Sequence, residues 1–421
     1  MYNRKWVVLL TAVALMVGTL AGCAPAAAPT PVPAATAVPA TAVPPTAVPP
    51  LLTGKPIMFA YSVNLSGSPL GAQMHCNAIQ MRVQEFNEAG GLDGRPVIVN
   101  CMDDGGDPKQ GVLIAQKVCD NKDFLGVIGP WWSGVTLAVM PILEECGMPM
   151  LSHGTSPLIP ETIAREGYKH MFQAQPHDAI KGAGMVDVMK WAGIKSTAIV
   201  HNKTQWGQRL AEEMQKRCNE VGITITSFQG IDDTTQDFAP ILTKIKGEDP
   251  DSLVACVYTP KSSIAIQMVD LKMRQTYVCP EAHSATFLDE LGGIGVGTMT
   301  YMGADWSIPR VNAWARKYEA LYKMPGELTG DAVAAYDEAG IMLAAVVRAH
   351  QETGQVTRQT ITDALWKTDY SGTQWPQVTF KEDGSAYPGW EWFYKVVKGA
   401  DGKLTFEYLG EWNRETGFKA K

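Results

Sequence analysis

The sequence has few charged residues and no excess of positive charge. Of its 421 residues, 19% are charged, and the formal net charge is −7. A general nucleic-acid-binding protein needs a basic surface that neutralises phosphates, so this balance excludes that class. Only one long apolar run occurs, near the N-terminus, which excludes a protein with several membrane-spanning helices. The length fits about two globular domains.

Signatures of catalysis and of metal binding are also missing. The chain has no Gly-x-Ser-x-Gly elbow, no His-Glu-x-x-His motif, no phosphate-binding Walker loop and no Cys-x-x-Cys pair. The glycine-rich segment 292–297 lacks the spacing of a nucleotide loop and follows a predicted helix, so it indicates a helix end and a turn. We therefore predict a binding protein that performs no covalent chemistry and uses neither a cofactor nor a metal.

The N-terminus has the pattern of an export signal. Arg4 and Lys5 precede an uncharged apolar stretch of fifteen residues, 6–20, which is short for a membrane span. The stretch ends in Leu20-Ala-Gly-Cys23, which resembles the bacterial lipobox, where the cysteine is acylated. The sequence predicts a signal peptide over residues 1–22 and a lipid anchor on Cys23. A short membrane anchor with an incidental cysteine is the alternative.

Residues 23–53 are predicted to form a tether. Nine of the 27 prolines lie between Pro25 and Pro50, and no charged residue occurs between Lys5 and Lys55. Proline lacks a backbone donor and fixes φ, so this segment should adopt polyproline II structure, at about 3.1 Å per residue. Its thirty or so residues could hold a globular body up to roughly 90 Å from a membrane, on the periplasmic side or the cell surface.

Strands and helices alternate through the rest of the chain. Apolar strand-like runs occur at 56–61, 97–101, 124–128 and 148–151, and the pattern restarts at 196–200, 223–227, 253–258 and 277–279. Such units predict parallel sheets covered by helices, with a ligand bound at the carboxyl ends of the strands. The aromatic residues of 375–394 indicate core strands, with carbohydrate binding as the alternative. Cys119 and Cys146, near two predicted helix ends, form either a disulfide or two buried thiols.

Several loops resemble those of the leucine/isoleucine/valine-type solute-binding proteins of ABC transporters. The resemblance extends from about Lys55 to about Tyr408. It rests on the following segments: Leu65-Ser-Gly, Phe86-Asn-Glu-Ala-Gly-Gly-Leu-Asp-Gly-Arg95, Asp103-Asp-Gly-Gly-Asp-Pro-Lys109, Val127-Ile-Gly-Pro130, Trp206-Gly-Gln and Ala335-Tyr-Asp-Glu-Ala339.

The resemblance implies the type I periplasmic-binding fold, with two doubly wound α/β lobes around a ligand cleft. Lobe 1 is predicted to comprise residues 54–174 and 303–375, and lobe 2 residues 175–302 and 376–421. The implied function is capture of an amino acid or related small polar solute by lobe closure and its delivery to a transporter permease. A tethered sensor of the same fold is an alternative, and an exported carbohydrate-active enzyme is another.

The resemblance also implies the residues of the site. The ligand carboxylate would meet Trp132 and Ser133, and the loop 152–156, one residue shorter than usual, would contribute His153 and either Thr155 or Ser156. Lobe 2 would supply Trp206, Tyr258 and Glu281, of which Glu281 would bind the ammonium group. The helix predicted after residue 330 would supply Asp331.

Two departures bear on the ligand. Trp131 and Trp132 are adjacent in a strand-end loop, where both cannot easily be buried, and Asp331 falls where an apolar residue is common. We therefore expect a ligand that is larger than leucine, aromatic or partly cationic.

Overall fold

The computed structural model describes residues 52–232, 234–257, 261–280, 282, 285–291, 294–302, 304, 306, 308–324 and 330–421. The predicted signal peptide, Cys23 and nearly all of the tether lie outside the described residues, as do Tyr258 and Glu281. Within the described part, no helix is both long enough and apolar enough to cross a membrane.

The first half of the chain forms a five-stranded parallel sheet. Its strands are β1 (Ile57–Val63), β2 (Val97–Asp103), β3 (Phe124–Ile128), β4 (Met150–Ser152) and β5 (Met171–Gln173), in the order β2-β1-β3-β4-β5. The crossover helices are α1 (Pro69–Glu88), α2 (Pro108–Asp120), α3 (Ser133–Glu145) and α4 (Leu158–Glu166). Strand β1 is central and almost entirely buried, which explains why its sequence is a continuous apolar run.

The second half forms an eight-stranded sheet. Its strands are β6 (Ser196–Asn202), β7 (Thr224–Ile231), β8 (Ser252–Cys256), β9 (Thr276–Val278), β10 (Met299–Met302), β13 (Glu391–Lys398), β14 (Leu404–Asn413) and β15 (Gly417–Ala420). The order is β15-β14-β13-β10-β9-β8-β6-β7, with β11 (Thr379–Phe380) and β12 (Ala386–Tyr387) forming a separate ribbon. The helices are α5 (Asp178–Trp191), α6 (Gln205–Val221), α7 (Ala239–Glu248), α8 (Lys261–Asp270) and α9 (Ala285–Leu291). The predicted α/β fold with two parallel-sheet halves is confirmed.

Three helices follow β10 and return to the first sheet: α10 (Pro309–Tyr322), α11 (Gly330–Thr353) and α12 (Arg358–Leu365). The small residues of α11, such as Ala335 and Ala339, lie in the same buried cluster as β1 and α1. Of the aromatic residues beyond α12, Trp375 and Trp392 are at most 2% exposed, so they are core residues and cannot stack on a sugar.

Two disulfides join secondary-structure elements within the first half of the chain. Cys119, in the last turn of α2, is bonded to Cys146, the residue after α3, and Cys76 of α1 is bonded to Cys101 of β2. The first pair was one of two alternatives that the sequence left open, and the second was not foreseen. The Arg358 guanidinium donates hydrogen bonds to the carbonyl oxygens of both Cys119 and Cys146, so it caps the helix ends that the disulfide joins.

Replacing Cys119 and Cys146 together by alanine should lower the free energy of unfolding by about 2–4 kcal/mol. The bond joins residues 27 positions apart, and its loss enlarges the conformational freedom of the unfolded chain. Urea unfolding under non-reducing conditions measures the change. Cys218→Ala is the control, because it removes a buried thiol that forms no disulfide and should cost less. Equal midpoints for the double variant and the unmodified protein would contradict the expectation.

Candidate functional site

The loop after β3 leads into helix α3. Gly129 has a φ of +81°, and a Cβ there would lie 2.9 Å from the Ser62 carbonyl oxygen, so only glycine fits this turn. Trp131 and Trp132 follow and are both half-buried, as expected for adjacent bulky residues in a loop. Helix α3 then begins at Ser133, and the backbone N–H groups of its first turn have no partner within the helix. This helix end therefore favours an anionic group.

Ser133 connects this helix end to the loop after β4. Its Oγ accepts hydrogen bonds from the backbone N–H groups of Thr155 and Ser156, each at 3.2 Å. Ser156 is fully buried, and its own hydroxyl accepts a hydrogen bond from the Leu158 N–H at 3.3 Å. Thr155 is half-buried. Of the two hydroxyl groups that the sequence could not separate, that of Thr155 is the more accessible.

A buried polar chain runs beneath this loop. His153 directly follows β4 and is 3% exposed. Its Nδ1 lies 2.8 Å from Glu338 Oε1, and its Nε2 lies 2.8 Å from the side-chain nitrogen of Gln175. Glu338, on α11, is fully buried. Burial raises the pKa of the Glu338 carboxyl, and the neighbouring His153 opposes that shift.

His75 of α1 lies beside this chain. Its Nδ1 is 2.8 Å from the Tyr61 hydroxyl, and its ring centre is 4.8 Å from that of His153 and 4.5 Å from that of Trp131. Burial lowers the pKa of His75 to about 3, and His153 adds to the effect, so the His75 ring is neutral at physiological pH. Asp331, half-buried in the first turn of α11, completes the group. One ligand atom from each of His75, His153 and Asp331 lies within 4.8 Å of the others.

Sequence reasoning had selected His153 and Asp331 but not His75 or Glu338. A signal for Glu338 existed: it stands in the run Val333-Ala-Ala-Tyr-Asp-Glu-Ala-Gly-Ile341, where two acids interrupt a helix that is otherwise apolar on most faces. His75 gave no comparable signal, because a single histidine on a helix is common.

On the second sheet, Trp206 lies in the first turn of α6. It is 4% exposed and belongs to a buried cluster with Leu210, and its indole N–H donates to Asp178 Oδ1 at 3.2 Å. Tyr258 and Glu281, the other two candidates from this half, lie outside the described residues. They follow strands β8 and β9, which run parallel to β6 and end at the same edge of the sheet as the start of α6.

The two halves meet beside these strand ends. Arg209 of α6 donates a hydrogen bond to the Glu161 carboxylate of α4 at 3.0 Å, and also pairs with Glu212 and Glu213 on its own helix. The helices that follow the strand ends of one sheet thus contact those of the other.

Comparison with known proteins agrees with this arrangement. Residues 56–401 match the sequence pattern of the periplasmic binding proteins. The chain belongs to the periplasmic binding protein family. It is 28% identical over 341 residues to the Leu/Ile/Val-binding protein homolog 1 of Brucella melitensis, a match that covers 80% of this chain and 88% of that protein.

Solved structures share the fold. The branched-chain amino acid transporter substrate binding protein LivJ from Streptococcus pneumoniae, in complex with isoleucine, superposes with a TM-score of 0.72 at 21% identity, over 84% of this chain and 99% of its own. A solute binding protein of an ABC transporter from Rhodopseudomonas palustris BisB5, in complex with 3,4-dihydroxybenzoic acid, gives a TM-score of 0.74 at 17% identity, over 87% and 98%.

Proposed function

We propose that the protein is an extracytoplasmic, lipid-anchored solute-binding protein that captures an amino acid or related small polar solute and delivers it to an ABC transporter permease. The observation that carries the proposal is the contact of the Ser133 hydroxyl with the Thr155 N–H at the start of α3, where the first backbone N–H groups of the helix have no partner within it. Its relatives named for leucine, isoleucine and valine binding support an amino acid as the solute.

In this mechanism the carboxylate of the solute binds at the start of α3. The helix end provides backbone N–H groups and a partial positive charge, and Thr155 adds a hydroxyl. As the family resemblance implies, we assign the ammonium group to Glu281 and a place at the wall of the cleft to Trp206 and Tyr258. A zwitterion that leaves water needs a partner for each charge, so binding favours the closed arrangement of the lobes. The two sheets are the bodies that move, with boundaries near residues 174, 302 and 375.

The side chain of the solute meets a surface that is not aliphatic. Trp131 packs against the His75 ring, and one carboxylate oxygen of Asp331 lies within 4.8 Å of a His75 ring nitrogen. We infer that the preferred solute is aromatic or carries an additional positive group. The protein performs no covalent chemistry, and a lipid on Cys23 with the proline-rich segment behind it keeps the binding domain near the membrane.

A thermal-shift screen of the purified protein against amino acids, aromatic acids, polyamines, amides and sugars tests the function. A solute at 100 times its dissociation constant should stabilise the protein by about 2.7 kcal/mol. The variant Thr155→Val should reduce the shift from any hit, because it removes a hydroxyl and keeps the shape. Thr405→Val, at an exposed strand position, is the matched control and should leave the shift unchanged. If no compound in the panel raises the melting temperature of the protein, the proposal is overturned.

A further inference from the structure

His75, His153 and Asp331 hold three donors that the proposed contacts to the solute's carboxylate and ammonium groups do not use. They come from three distant parts of the chain: the buried face of α1, the residue after β4 and the first turn of α11. One donor atom from each lies within 4.8 Å of the others. Zinc-to-nitrogen bonds are about 2.0–2.1 Å long, so shifts of about an ångström per side chain would bring all three onto one ion.

We propose that His75, His153 and Asp331 bind a divalent transition-metal ion such as Zn²⁺ or Ni²⁺. Two imidazoles and one carboxylate are the donors that these ions prefer, whereas Mg²⁺ and Ca²⁺ prefer oxygen alone.

The surroundings of the two imidazoles match those of metal ligands. The Nδ1 of His75 lies 2.8 Å from the Tyr61 hydroxyl, which leaves Nε2 as the nitrogen that could bind an ion. His153 has Glu338 at one nitrogen and Gln175 at the other. Whichever of these contacts the ion displaces, the remaining one orients the ring, as outer carboxylates and amides do for metal-bound histidines.

The charge of the cluster provides an independent argument. Glu338 is fully buried, and although its Oε1 lies 2.8 Å from His153 Nδ1, no described residue donates a hydrogen bond to its Oε2. A fully buried carboxylate oxygen without a hydrogen-bond donor thus lies one side chain away from the three donors, and a divalent cation there would offset its charge.

Isothermal titration of the chelator-treated, purified protein with ZnCl₂ and with NiCl₂ tests the proposal. We expect one saturable site, and His75→Gln and Asp331→Asn should each weaken it by at least about tenfold. His350→Gln is the matched control, because that histidine pairs with Asp93 at the surface and should leave the affinity unchanged. Addition of CoCl₂ should give visible absorption bands in the unmodified protein and not in His75→Gln.

The outcomes separate this inference from the proposed function. Absence of saturable metal binding, or binding that both variants retain, overturns the metal site. If the protein shows no saturable metal binding and Asp331→Asn weakens the binding of an amino acid, the cluster serves the solute and the metal site is overturned. Metal binding by the unmodified protein that is lost in both His75→Gln and Asp331→Asn supports the metal site. It does so even if no compound in the thermal-shift screen stabilises the protein and the proposed function fails.

Discussion

Replacement of His153 by leucine should lower the free energy of unfolding by about 3–5 kcal/mol. The change leaves the Glu338 carboxylate buried without the partner that lies 2.8 Å away, and an unpaired buried charge is costly. Urea unfolding at pH 7 and low salt measures the effect in a metal-free buffer.

The raised pKa of Glu338 predicts the direction in which the stability of the protein changes with pH. The folded-state pKa of Glu338 is raised above its ordinary value, so between the two values the folded protein binds more protons than the unfolded chain. Stability therefore falls as the pH rises through that window. Removing His153 raises the pKa of Glu338 further, because the opposing partner is lost. The deficit of His153→Leu should thus shrink as the pH is lowered from about 8 to about 5.

A double-mutant cycle separates the contact between His153 and Glu338 from the packing of the two side chains. His153→Leu combined with Glu338→Met removes both partners, and it should recover at least half of the loss caused by His153→Leu alone. His170→Leu is the matched single control, because His170 pairs with Glu144 nearer the surface. Purely additive effects of the two changes would show that the pair does not stabilise the fold.

Glu281→Ala should weaken the binding of an α-amino acid by roughly 30- to several-thousand-fold, which corresponds to about 2–5 kcal/mol. The ammonium group of the solute would then be enclosed without a counter-charge. Isothermal titration with the best amino acid from the thermal-shift screen measures the loss.

The matched ligand for this prediction is the carboxylic acid with the same side chain and no amino group. The unmodified protein and Glu281→Ala should bind it with similar affinity, since only the ammonium contact is removed. The matched variant is Glu382→Ala, which removes an exposed acid and should bind the amino acid normally. Unchanged amino acid affinity in Glu281→Ala would assign the ammonium group to another acid, with Asp331 the next to test.

Much of the architecture could be predicted because it depends on local sequence patterns. Buried parallel strands such as β1 and β8 are continuous apolar runs, and their alternation with helices specifies the α/β fold. The family loops are also contiguous segments, so Ser133 and Thr155 could be selected from the chain alone. Strand β5 was missed because it contributes only two apolar residues, Met171 and Phe172, between His170 and Gln173, too few to show a period.

Which side chains come together in the candidate binding region depended on the tertiary structure. The strand order β2-β1-β3-β4-β5 places β4 two strands from β1. It brings His153, the residue after β4, to α1 and to α11, which begins 178 residues after β4 ends. No local sequence pattern encodes this juxtaposition.

 The disulfide between Cys76 and Cys101 has the same origin, because it follows from the packing of α1 on β2.

The sequence by itself thus determined the alternation of strands and helices and the loop segments that resemble the family, because each depends on residues that are neighbours along the chain. The tertiary structure decided which hydroxyl of the loop 152–156 stays accessible, and it placed His75 and Glu338 against His153 and Asp331. These contacts depend on how helices pack across a sheet, and side chains far apart in sequence meet only once that packing is formed.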